Sequence, residues 1–217
     1  MMKNTLVLAT LAALLVGCSK EPELAFEQLR TPADLAAHSE EFRQGLEQLV
    51  PGVWVAIGYG LANSVLIEGE DGLIVIDTME TMEEGRTVAE LFRGLSDKPL
   101  KALIYTHNHA DHVFGAQAFV DVLGQAGQPV EVLSHASTEF YVNRIVSEFR
   151  PIVTARSFRM FGTELDAEAV VNNGVGLSLN IDENSSFGFI KPTRTLEDRL
   201  ALTIAGVDLE LVHAPGE

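Results

Sequence analysis

Three of the six histidines fall in one short stretch, Thr106-His107-Asn108-His109-Ala110-Asp111-His112. On an extended exit from a strand, residues i and i+2 point the same way, so His107 and His109 can grip one metal ion. Asp111 and His112 begin the next turn and can reach a second ion nearby. Imidazole nitrogens and a carboxylate suit Zn²⁺, with Mn²⁺ and Fe as alternatives. Two such ions, about 3.5–4 Å apart, can hold a hydroxide between them and polarise the bond it attacks. Zinc also lowers the pKa of bound water to about 7, which makes that nucleophile available at neutral pH. Asp111 is thus a candidate catalytic residue as well as a ligand.

Chemistry of this kind needs a rigid frame, and the flanking sequence predicts one. Ala102-Leu103-Ile104-Tyr105 reads as a buried strand running directly into the histidine stretch. Leu73-Ile74-Val75-Ile76 is another continuous apolar run, expected to be buried on both faces and to stop at Asp77. Ahead of it, two β-type runs over 53–57 and 63–67 flank Gly58-Tyr59-Gly60 as a hairpin. A helix is expected over 82–95, with Val88, Leu91, Phe92 and Leu95 inward. A second should place Ala116, Phe119, Val120 and Leu123 inward, followed by a strand over 130–133 and a helix over 138–149. Residues 199–204 and 207–212 form a hairpin across Ala205-Gly206. Residues 32–49 read as a short helix carrying Leu35, Phe42, Leu46 and Leu49 on one stripe. Residues 166–190 hold turn chemistry and no period. The alternation of strand and helix predicts an α/β fold.

The His107-x-His109-x-Asp111-His112 pattern after a strand resembles the hallmark of the metallo-β-lactamase superfamily, and Asp77 matches the family's earlier aspartate motif. The resemblance implies an αβ/βα sandwich, and it implies that Asp77 ties down the metal-bearing loop without itself ligating. It extends from about Val53 to the last residue. Within the superfamily the chain resembles the alkylsulfatase-like branch, through residues 51–63, 106–115 and Val212-His213-Ala214-Pro215-Gly216-Glu217. Family members carry a further ligand after a Pro-Gly turn, usually histidine but acidic in that branch, so the resemblance makes Glu217 a metal ligand. The family pattern continues beyond this position with another acidic ligand and a last histidine. On that basis the chain is expected to be truncated in its C-terminal half, with two zinc ions in the full-length protein. The implied activity is hydrolysis of a sulfate ester by metal-activated water; a homodimer is expected only in so far as the full-length protein resembles alkylsulfatases, and the sequence leaves the oligomeric state open. β-Lactam, lactone and thioester hydrolysis are alternatives within the same chemistry, and a metal-binding lipoprotein without turnover is the alternative outside it.

Four arginines, Arg144, Arg150, Arg156 and Arg159, lie close together in an acidic chain. A planar guanidinium suits sulfate oxygens, which makes Arg156 and Arg159 candidate substrate contacts, although pairing with surface acids is the commoner use of such residues. Phe187 and Phe189 could meet an alkyl chain or simply pack. His135, at the end of a strand, lies on the side of the sheet where ligands gather in such folds, but it reads better as a hydrogen-bonded strand-end histidine. His38 has no chemical company and reads as solvated.

Composition limits the partners. The 217 residues carry 31 acidic and 15 basic side chains, a formal charge of −16, and 47% hydrophobic residues. That content supports a buried core, and the charge argues against binding nucleic acid. One cysteine excludes an intramolecular disulfide framework. The N-terminus carries Lys3, then an apolar run over 6–16, then Gly17-Cys18. Eleven residues at about 1.5 Å each reach roughly half of a ~30 Å hydrocarbon core, so the run reads as a signal peptide over 1–17. Leu15-Val16-Gly17-Cys18 resembles the bacterial lipobox, which implies export and a lipid anchor on Cys18. Ser19 after it favours the outer membrane, facing the periplasm. Residues 18–49 then form an acidic tether and short helix, and 50–217 the metal-bearing domain.

Overall fold

The computed structural model describes residues 33–163, 165–166, 170–177, 179 and 181–216. Residues 1–17, expected as a signal peptide, Cys18 and Glu217 lie outside the described residues. Seven strands form one sheet in sequential order. β1 (Gly45–Val50), β2 (Val53–Ile57), β3 (Ser64–Glu68) and β4 (Leu73–Ile76) make an antiparallel meander. From β4 the pairing turns parallel through β5 (Leu100–Ile104), β6 (Glu131–His135) and β7 (Arg194–Leu196). Parallel neighbours need crossovers, and helices supply them. α2 (Met82–Arg93) joins β4 to β5, while α3 (Ala110–Val113) and α4 (Ala116–Leu123) lie between β5 and β6. The fold is mixed α/β, as the alternation predicts.

The two faces of the sheet explain the continuous apolar strands. Leu73, Val75, Leu103 and Val132 pack with Val88, Ala89, Phe92, Phe119 and Leu123 of α2 and α4. Their neighbours Ile74, Ala102, Ile104 and Leu133 face the other way. They pack against Ile204, Leu200, Leu202, Val207 and Leu209 of an antiparallel hairpin, β8 (Arg199–Ile204) and β9 (Val207–Val212). Successive strand residues point to opposite faces, so a strand covered on both sides must be apolar throughout. Ala205 and Gly206, both at positive φ, make the hairpin turn.

α2 begins at Thr81, whose hydroxyl accepts the Glu84 amide at 3.2 Å, and carries Glu83 and Glu84 in its first turn. Its buried stripe is Gly85, Val88, Ala89 and Phe92, one step round from the expected one. Leu95 falls beyond the helix end and is exposed. Gly85 and Gly115 let α2 approach the start of α4: a Cβ on Gly85 would come within 2.7 Å of the Gly115 carbonyl oxygen.

One local expectation needs correction, and two further elements have no counterpart in the sequence reading. Residues 45–50 form strand β1, not the end of a helix; helical structure is confined to α1 (Ala33–Ser39) and a 3-10 turn at Glu40–Phe42. Arg43 turns extended, and Pro51-Gly52, with Gly52 at φ 83°, folds β1 onto β2 so that Leu46 pairs with Ala56 and Gln48 with Trp54. Residues 150–160 form a helix, α6 (Arg150–Met160), following α5 (Thr138–Val146). α6 buries none of its residues, so its sequence carries no apolar stripe to announce it. The other unanticipated element is β7, a three-residue strand whose burial reaches only Leu196. Between α6 and β7 the described residues contain no helix or strand. No helix among the described residues is long and apolar enough to cross a membrane.

Candidate metal centre

The histidine stretch leaves β5 at the end where β4 also stops. His109 is extended and caps α3, whose first turn carries Asp111 and His112. His107 and His109 therefore project from extended chain and Asp111 and His112 from a helical turn. The three imidazoles are brought together: ring centroids are 4.6 Å apart for His107 and His109, and 4.0 Å for His107 and His112.

Asp77 organises this cluster. Its Oδ1 accepts the backbone N–H of Thr106 at 2.8 Å. Its Oδ2 accepts the Thr106 hydroxyl at 2.8 Å and lies 2.7 Å from His112 Nδ1. The Thr106 hydroxyl spends its one proton on Asp77. The 3.0 Å contact between Thr106 Oγ1 and His107 Nδ1 must then be donated by His107. Both His107 and His112 thus carry a proton on Nδ1, and a metal would be met by Nε2. Such an outer carboxylate fixes the tautomer and ring orientation of metal-binding histidines.

His112 Nε2 lies 3.2 Å from Asp111 Oδ2. Burial would pull the His112 pKa down. Hydrogen bonds and charges from Asp111 and Asp77 overcome that and push it up to about 10. Burial likewise works to raise Asp111, but the hydrogen bond and charge of His112 hold it below the usual carboxylate range. The two side chains form an ion pair between two of the expected ligands. Among the described residues, no three His, Cys, Asp or Glu side chains converge as a cage for an ion. In kind the donors suit a divalent cation, with imidazole Nε2 atoms, one carboxylate, and an outer carboxylate already in place.

Four residues of this centre are not singled out by the sequence reading. Thr106 relays Asp77 to His107. Thr78 donates both its N–H, at 2.8 Å, and its hydroxyl, at 3.0 Å, to the His112 carbonyl. Ser64 donates to the Asp77 carbonyl at 2.7 Å. Glu80 is buried beside them, and burial together with the charges of Asp111 and Glu84 pushes its pKa up to about 8. Thr106 adjoins His107 and could have been read from adjacency; the other three depend on contacts distant in sequence.

The remaining candidates take no part in the hydrogen bonds described above. Arg144 lies over the Phe149 ring at 4.4 Å and pairs with Glu148 at 3.3 Å, a local structural use. Arg156 and Arg159 are exposed on α6, and among the described residues neither bonds to the histidine stretch. Phe189 stacks on Tyr105 and packs on the core, whereas Phe187 is 53% exposed and meets Phe114 edge-on at 5.7 Å. His135 Nδ1 accepts the Ser137 amide at 3.2 Å, its Nε2 lies 3.1 Å from the Glu197 carbonyl, and its ring stacks on His213 at 3.9 Å. It is a hydrogen-bonded strand-end histidine, as expected. His38 pairs with Glu41 at 3.3 Å on the surface. A cavity of about 240 Å³ opens beside the β2–β3 loop, with Phe42, Ile57, Leu61 and Val175 on its walls.

Comparison with known proteins places this geometry. Residues 57–216 match the family model described as the metallo-beta-lactamase superfamily. A linear primary-alkylsulfatase from Pseudomonas sp. (strain ATCC 19151) is 37% identical over 155 residues, covering 70% of this chain and 29% of the relative. An alkyl/aryl-sulfatase of Saccharomyces cerevisiae is 29% identical, covering 79% of this chain and 27% of the relative. Among solved structures, a stereoselective inverting sec-alkylsulfatase from Pseudomonas sp. superposes with a TM-score of 0.71 at 26% identity, over 86% of this chain and 31% of that one. The chain spans less than a third of the length of these relatives.

Proposed function

The chain belongs to the metallo-β-lactamase superfamily of hydrolases, whose fold implies divalent metal binding, and from this we propose that it forms the metal-bearing part of an alkyl sulfatase. The observation that carries the proposal is the Asp77–His112 contact at 2.7 Å within the His107-to-His112 cluster, in a chain whose relatives bear the alkylsulfatase name. The reaction is cleavage of a sulfate monoester by water to an alcohol and hydrogen sulfate. His107 and His109, joined by Glu217, would hold one Zn²⁺, and Asp111 and His112 a second. Bound zinc would supply a water acidic enough to attack at neutral pH and positive charge to stabilise the sulfate oxygens.

The chain's own residues prepare for this. Asp77 keeps both Nδ1 positions protonated and so aims Nε2 of His107 and His112 at the ion. His112 must give up its second proton before it can ligate, and Asp111, released from that pairing, becomes available as ligand and catalytic carboxylate. Phe187, edge-on to Phe114 at the end of α3, offers a place for an alkyl chain. Lipobox-like Leu15-Val16-Gly17-Cys18 supports an exported, lipid-anchored protein at the outer membrane.

The test is a pair of assays on the purified full-length protein. Sulfate released from dodecyl sulfate, with nitrocefin left intact, is the expected outcome. Opening of nitrocefin without sulfate release would assign the centre to β-lactam hydrolysis instead.

A further inference from the structure

Asp77 can organise the histidines only from an unusual backbone conformation. Its φ is 60°, in the left-handed region that residues with a Cβ rarely occupy. Met79, two residues on, is at φ 68°. Conformations of this kind persist where the surroundings over-determine them.

The peptide planes on either side of the Asp77 Cα are both held. The preceding plane is fixed by the Asp77 N–H, which donates to Ile104 O at 2.9 Å. The following plane is gripped at both ends: its carbonyl oxygen accepts from Ser64 Oγ at 2.7 Å, and its N–H, that of Thr78, donates to His112 O at 2.8 Å. Two fixed planes fix φ and ψ, and hence the direction of the Asp77 side chain. The two grips on the second plane differ in kind. The His112 carbonyl belongs to the loop that has to be positioned, whereas Ser64 opens β3, inside the sheet, and is fully buried. Ser64 is therefore the tether of this plane to the rigid frame.

We propose that Ser64 is a positioning residue of the metal centre: its hydroxyl holds the Asp77–Thr78 peptide so that the Asp77 carboxylate reaches His112 directly and His107 through Thr106. The proposal rests on the metal-dependent function above. Its effect is on ligand orientation, and so on metal affinity, before any substrate is present.

The experiment is a double-mutant cycle on zinc affinity, measured by chelator competition with the full-length protein: wild type, Ser64→Ala, Asp77→Ala and the double variant. Loss of an outer group of a metal site costs 10–100-fold in affinity, so Ser64→Ala is expected to bind zinc about 10-fold more weakly. Because Ser64 acts through Asp77, the double variant is expected to bind no more weakly than Asp77→Ala alone. Ser64→Cys, similar in shape and a weaker donor, should fall between serine and alanine; if Ser64→Ala does not fold, Ser64→Cys takes its place in the cycle. Wild-type affinity in Ser64→Ala, or an equal loss on the Asp77→Ala background, overturns the proposal and leaves the function standing. A wild-type protein that binds no zinc overturns both.

Discussion

The Asp77 carboxylate, at the end of β4, lies 2.7 Å from Nδ1 of His112, in the first turn of α3. One contact thereby joins the most buried part of the sheet to the loop that carries the chemistry. The same carboxylate also holds Thr106 by two hydrogen bonds, and Thr106 in turn meets His107. The centre is a cluster hung from a single acidic side chain, which makes its loss easy to anticipate.

Asp77→Asn presents an amide where Thr106 and His112 both need an acceptor. Either orientation of the amide leaves at least one of them facing a donor. Zinc affinity should fall by about 10–100-fold, read by chelator competition, while the sheet survives and the far-ultraviolet circular dichroism is unchanged. Unaltered affinity would remove Asp77 from its role.

His109→Ala and Asp111→Ala remove one donor each from the two proposed zinc positions. Both should abolish sulfate release from dodecyl sulfate in the full-length protein while the far-ultraviolet circular dichroism is retained, because both side chains lie at the site and outside the apolar core. Activity retained in either variant would refute its assignment as a ligand.

Stability of the metal-free protein should fall as pH rises. The pKa of Glu80 is raised from 4.5 to about 8 and that of His112 from 6.5 to about 10. In each case the folded state holds its proton more tightly than the unfolded chain. That contribution is complete below the unfolded value and is lost as pH climbs through the folded one. Chelated protein is expected to melt several degrees lower at pH 9 than at pH 6. Glu80→Gln should remove the part of this fall that lies between about pH 4.5 and 8. A melting temperature that is flat or rises over the interval would contradict the assignment of these protons.

Cys18 gives a prediction independent of the centre. If it carries the anchor, cells expressing the full-length protein should incorporate radiolabelled palmitate into it, and Cys18→Ala should abolish the label and release the protein from membranes. Labelling that persists in Cys18→Ala would place any acyl group elsewhere.

The chemistry of the site was legible because it is written locally: four donors within six residues, directly after a strand, have few other uses. The core strands and α4 were legible because both faces of the sheet are covered, so runs such as Leu73 to Ile76 contain nothing polar. What was misread or missed depends on partners distant in sequence or leaves no pattern. Phe42, Leu46 and Leu49 fall at helical intervals, yet β1 exists because Leu46 finds Ala56 across the Pro51-Gly52 turn, a pairing that no local period reports. α6 is exposed on every side and leaves no pattern at all. Ser64 reads in the sequence as one residue of a β-type run, and its part in holding Asp77 becomes visible only when β3 and β4 are paired. Ligands can be read from spacing; the groups that aim them depend on the assembled fold.

The central claim is that these residues serve metal-dependent hydrolysis of an alkyl sulfate. The direct measurement is sulfate release from dodecyl sulfate by the full-length protein before chelation, after chelation, and after zinc is restored. The account predicts one sulfate per dodecanol, activity lost with the metal, and activity regained on adding zinc. Turnover indifferent to chelation, or a zinc-loaded protein that releases no sulfate, would contradict it.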